Sequence, residues 1–140
     1  MSVANVLPAV REGIASLITA GGVRCEPYDS INTSGTIATL GLASWSLDHS
    51  DQSMGVQSVT IPVFVYQLFD GSGAKSIQYL EDRMSRVVDA IGADRTLGGV
   101  CPSCSIEGDF DAVVMRGDGG QLYGIATLYL TLTPFSNVGE

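Results

Sequence analysis

The chain has 140 residues, the size of one domain, and is 45% hydrophobic against 16% charged, which excludes a disordered chain. Fifteen acids against seven bases leave a formal net charge of -8, which excludes a surface built to neutralise many phosphates. No run approaches the roughly 18 apolar residues of a membrane span, and the N-terminus lacks the basic start and apolar run of a signal peptide, so a soluble, non-exported single domain over 1–140 is expected.

The acids are unevenly spread. Around the middle of the chain they are nearly balanced by Lys75, Arg83, Arg86 and Arg95, whereas after residue 95 only Arg116 offsets Glu107, Asp109, Asp111, Asp118 and Glu140. Three cysteines, Cys25, Cys101 and Cys104, are too few and odd in number for a disulfide framework, which points to a reducing compartment.

From Val3 the apolar positions Val3, Val6, Leu7, Val10, Ile14, Leu17 and Ile18 follow a 3.6-residue stripe, with Arg11, Glu12 and Ser16 off it. This predicts an amphipathic helix with Pro8 in or near the first turn, where its missing N–H costs least, and Gly21-Gly22 as the stop. Residues 23–28 and 35–43 read as two strands joined by a loose hairpin, with Pro27 favouring an edge.

The stretch 43–55 is rich in Ser, Asp and Gly and reads as a long loop carrying Trp45, Asp48, His49 and Asp51. From Gln57 to Leu68 the residues Val59, Ile61, Val63 and Val65 alternate with Thr60, Pro62, Phe64 and Tyr66, a strand with bulk on both faces, in which Pro62 argues for an edge or a bulge. A second helix is predicted from Ser72 to Ile91, with Ile77, Leu80, Met84, Val87, Val88 and Ile91 on one face and Asp82 four residues before Arg86 on the other.

Short strands near 101–107 and 110–116 lead to the turn Gly117-Asp118-Gly119-Gly120. The return strand, 121–133, places Leu122, Ala126, Leu128, Leu130 and Leu132 on one apolar face and is the expected central strand. Helix, strands, helix, strands, with antiparallel hairpins, predicts an α+β fold: two amphipathic helices packed on one face of a mainly antiparallel or mixed sheet with a protruding hairpin.

Candidate chemistry dissolves on its spacing. Gly71-Ser72-Gly73-Ala74-Lys75-Ser76 sits between a strand and a helix, as a phosphate loop would, but Ala74 stands where Gly must precede the Lys-Ser pair and Phe69 where the earlier Gly belongs. No parallel crossover is read after it, and a helix cap from Asp70, Ser72 or Ser76 explains the stretch. Cys101-Pro102-Ser103-Cys104 has dithiol spacing but is followed by strand, not by the helix that lowers a thiol pKa. Cys25 and His49 complete no zinc pattern, and His49 between Asp48 and Asp51 reads as a solvated loop residue. Arg116-Gly117-Asp118 is accounted for by its turn. Neither a catalytic residue, a cofactor nor a metal is expected.

The ordered set of a Gly-Ser-rich entry at Gly71–Lys75, the helix, the turn Ala93-Asp94-Arg95-Thr96-Leu97-Gly98-Gly99-Val100 and a closing strand over Tyr123–Leu132 resembles the tail terminator proteins of long-tailed bacteriophages, also called tail completion or minor tail proteins of the neck. The opening helix and the stretch Val23–Asp29 extend the likeness over nearly the whole chain, while the Cys-Pro-Ser-Cys pair and the 43–55 loop have no counterpart in it. The resemblance implies a non-enzymatic virion protein, assembled in the host cytoplasm and resident in the neck. It would close into a homomeric ring, typically a hexamer, on the head-proximal end of the tail tube.

Its implied partners are further copies of itself, the tube protein and the head-completion or stopper protein, with DNA passing through the lumen without specific binding and no membrane contact. A different head-tail connector or a tube protein is the neighbouring alternative, and a nucleotide-binding or thiol/metal protein a remote one. The residues expected at partner contacts are Trp45, Asp48, His49 and Asp51 in the 44–55 loop and Arg116 and Asp118 at the hairpin tip.

Overall fold

The computed structural model describes residues 3–28, 37–48, 55–69, 73–94, 104–116 and 122–132. Helix α1 (Val3–Ala20) buries Val10, Ile14, Ala15 and Ile18, with Leu7 and Leu17 packed against the core, so from Leu7 onward the predicted stripe is the packed face. Pro8 falls inside this helix rather than in its first turn. Its ring is exposed and removes one intrahelical hydrogen bond, a loss confined to the N-terminal part, while packing of the later turns holds the helix.

The helix stops as its glycines predict. Val23 N–H donates to the Ile18 carbonyl (3.4 Å) and Gly22 N–H to the Thr19 carbonyl (3.0 Å), with Gly22 at φ 103°, the paired bonds of a Schellman cap. Val23, just past the cap, is buried and ties the chain exit to the core.

Strand β1 (Cys25–Glu26) then pairs parallel with β2 (Ile37–Leu40), Cys25 opposite Ala38 and Glu26 opposite Thr39. The expected hairpin between them is therefore absent: two strands running the same way cannot be joined by a tight turn.

Strand β3 (Ser44–Asp48) replaces the first part of the predicted long loop. Ser-Trp-Ser-Leu-Asp alternates small polar and apolar residues, a strand period hidden by a loop-like composition, and its backbone pairs with the start of β4 (Gly55–Phe69). The 15 residues of β4 outrun any single neighbour on that edge, so β3 takes residues 55–60 and β2 takes 63–66.

Pro62 lies in the interval between those two partners. Its carbonyl accepts from Gly41 N–H at 2.9 Å, so its missing N–H also points to that side, where neither strand asks for a donor. A proline thus sits in the middle of the sheet without breaking a ladder, where an edge or bulge had been the expectation. Gly41 is required beside it, since a Cβ there would stand 2.4 Å from the Phe64 ring and 2.9 Å from Pro62.

Helix α2 (Gly73–Ala93) buries Ser76, Leu80, Val87, Ala90 and Ile91. Ser76 is inside the helix and buried, so it is not the cap; Asp70 and Ser72 lie outside the described residues. The strand β5 (Cys104–Arg116) merges the two predicted short strands into one, with a register shift between Glu107 and Asp111 where they had been separated.

Strand β6 (Leu122–Leu132) pairs with β5 as the predicted hairpin and with β4 along its whole length. The sheet order is β1-β2-β4-β6-β5, with β3 beside β4. Because β6 is antiparallel to both neighbours, β4 and β5 run parallel, and α2 is a crossover helix after all; β6 has slotted between the strands it joins.

The architecture is α+β, with both helices on one face of a mixed sheet. The core is built from cross-strand pairs on that face, Val59 with Leu132, Ile61 with Leu130, Val63 with Leu128 and Val65 with Ala126, under Ile14, Ile18, Leu80, Val87 and Ile91. The helices themselves approach closely at Gly21, where a Cβ would be 2.7 Å from Ala90 Cβ.

Candidate functional site

Both described helices being spent on one face, the other face of β4 and β6 has no helix over it among the described residues. Its rows pair Thr60 with Thr131, Pro62 with Tyr129, Phe64 with Thr127, Tyr66 with Ile125 and Leu68 with Tyr123, none of them charged. Tyr129 is 50% exposed, and Phe64, Tyr66, Tyr123 and Ile125 are half-buried. Phe64 and Tyr66 rings lie 6.4 Å apart at 44°, and the Thr60 and Thr131 hydroxyls meet at 3.2 Å, so this uncharged surface is internally braced.

A second apolar feature lies on the helix side. A groove of about 250 Å³ between α2 and the β6 end of the sheet is lined by Phe69, Ile77, Leu80, Met84, Val113 and Gly124, with Glu81 at its edge. Gly124 forms its floor because a Cβ there would stand 2.6 Å from the Phe69 ring and 2.9 Å from Leu80. Ile77, expected on the packed face of α2, is 49% exposed here: α2 lies over β4 and β6, and no helix among the described residues covers the space beside it.

The third feature is an apolar projection. Leu42, in the connection between β2 and β3, is 89% exposed. Bonded to the two residues before it is Arg11, which the helical stripe had left on the polar side and which is only 7% exposed. Its guanidinium donates to the carbonyls of Pro27 (3.1 Å), Leu40 (3.3 Å) and Gly41 (2.8 Å), and Tyr28 covers it at 4.9 Å from the ring centroid. One side chain of α1 thereby holds the chain segments that carry Tyr28 and Leu42.

The remaining charged side chains of the described residues are mostly solvated. On α2, Asp82 accepts from Arg86 at 2.9 Å and Arg83 at 2.7 Å, as the four-residue spacing to Arg86 predicted, and the Arg86 hydrogen bond foremost holds its carboxyl below the usual range. Burial, with a smaller push from Glu26, raises the Cys25 thiol from 9.0 to about 12, so it is an inert buried group; its N–H is held by the Thr19 hydroxyl at 3.1 Å. A shallow, open cleft beside it is lined by Glu12, Ser16, Thr19, Glu26 and Pro27.

Of the expected contact residues, Trp45 and Asp48 belong to β3, opposite Val59 and Gly55, rather than to a loop. Arg116 ends β5 opposite Leu122. His49, Asp51 and Asp118 lie outside the described residues, as does Cys101, while Cys104 opens β5. The sheet puts β3 and the β5–β6 end on opposite sides of β4, so Trp45 and Arg116 do not form one site.

Sequence reasoning missed Leu42, Arg11 and the Ile77 groove. A lone Leu between Gly41 and Ala43 has no period to mark it, and Arg11 next to Val10 and three residues before Ile14 borders the apolar stripe closely enough to have been a warning.

Among the described residues no group of three or more His, Cys, Asp and Glu could hold a metal ion, and no helix is long and apolar enough to cross a membrane.

No protein-family model matches the chain, and no curated protein matches it in sequence. Among solved structures it is similar to a chain in the virion of a native gene transfer agent particle, at 18% identity over 85% of this chain and 82% of that one, with a TM-score of 0.43.

Proposed function

We propose that this chain is a structural virion protein of a long-tailed bacteriophage, a tail terminator. It closes into a homomeric ring, a hexamer, on the head-proximal end of the tail tube, ends tube polymerisation and offers the joining surface for the head-completion protein. The reading begins from the ordered sequence features at Gly71–Lys75, Ala93–Val100 and Tyr123–Leu132.

The observation that carries self-assembly is the uncovered apolar surface: Tyr129 and its neighbours on one face of the sheet, Ile77 and Val113 beside α2, and Leu42 at the β2–β3 connection. A domain of this size that worked alone would leave these in water, whereas a ring buries them.

Capping follows from shape. One ring face repeats the contact a tube subunit makes, and the other does not accept a further tube ring, so growth stops without any bond being made or broken. The net charge of -8 multiplies with each copy, and acids facing the lumen would let DNA pass without being held.

Negative-stain microscopy tests this in two arms. Purified protein should form closed rings, and tails assembled without it should be overlong. Normal tail lengths in its absence would sink the reading.

A further inference from the structure

We draw no further inference here: the strongest candidate, the uncharged surface patch around Tyr129 on the outer face of β4 and β6, carries nothing because nothing in the structure shows what covers it.

Discussion

Arg11 donates to the Gly41 carbonyl at 2.8 Å, joining the first helix to the end of β2 across thirty residues of sequence. The same guanidinium holds the Pro27 and Leu40 carbonyls, so removing it strands three acceptors at once. Arg11→Met should lower stability by about 3 kcal/mol in urea unfolding. Arg11→Lys should recover little of it, because a single ammonium does not reproduce the planar fork. A loss under ~0.5 kcal/mol for both would show that the carbonyls find water instead.

Gly22 and Gly21 are needed for different reasons, and the two substitutions separate them. Gly22→Ala forces a side chain into φ 103° and should cost about 1 kcal/mol. Gly21→Ala places a methyl 2.7 Å from Ala90 Cβ and should cost more, about 2 kcal/mol, by pushing α1 from α2. The pairing of Gly21→Ala with Ala90→Gly should recover part of the loss, as thermal unfolding of the double variant would reveal.

Ile61 and Leu130 are fully buried directly opposite each other on β4 and β6. Each truncation to Ala should cost about 3 kcal/mol, and the double variant should depart from additivity by about 1 kcal/mol because the two side chains share one packing site. Strict additivity in denaturant titrations would contradict the register.

The Cys25 thiol gives stability a pH dependence in the alkaline range. In the unfolded chain it ionises near 9.0, whereas the folded protein holds its proton up to about 12. The folded state therefore binds more protons in that window, so the contribution is complete below the unfolded value and falls as pH rises through it. Unfolding free energies measured at pH ~8 and ~10 should decline for the wild type and decline less for Cys25→Ala. Equal declines would show that the thiol is not shielded.

How much of this was legible beforehand differs by element. Both helices were readable from their apolar spacing, and the strands β4 and β6 from alternation, because those periods report directly which side chains meet a core. The cap at Gly21-Gly22 and the Asp82–Arg86 pair were readable too, since both are made by residues within a few positions of each other. Strand β3 was not: Ser44–Asp48 is too short and polar for its alternation to stand out, and it is a strand because the long edge of β4 has room for it.

The uneven results on the contact surface have the same origin. Trp45 was expected in a loop and lies in β3, whereas Arg116, expected at the hairpin tip that ends the strand 110–116, is the last residue of β5, and the two stand on opposite sides of β4. Ile77 and Arg11 exchanged roles: the isoleucine on the apolar stripe faces an open groove, and the arginine off the stripe is buried under Tyr28.

Composition, charge and hydropathy period by themselves determined an acidic α+β domain with two amphipathic helices, a long two-faced strand and a terminal hairpin. Only the tertiary structure decided that β1 and β2 run parallel, that β6 enters between β4 and β5, and that Leu42 and the Ile77 groove are left uncovered at opposite sides of the sheet. The reason is that a period records whether a side chain has a buried face, which is local, whereas strand order and helix coverage depend on which distant segments pair, and those pairings leave no period in either partner.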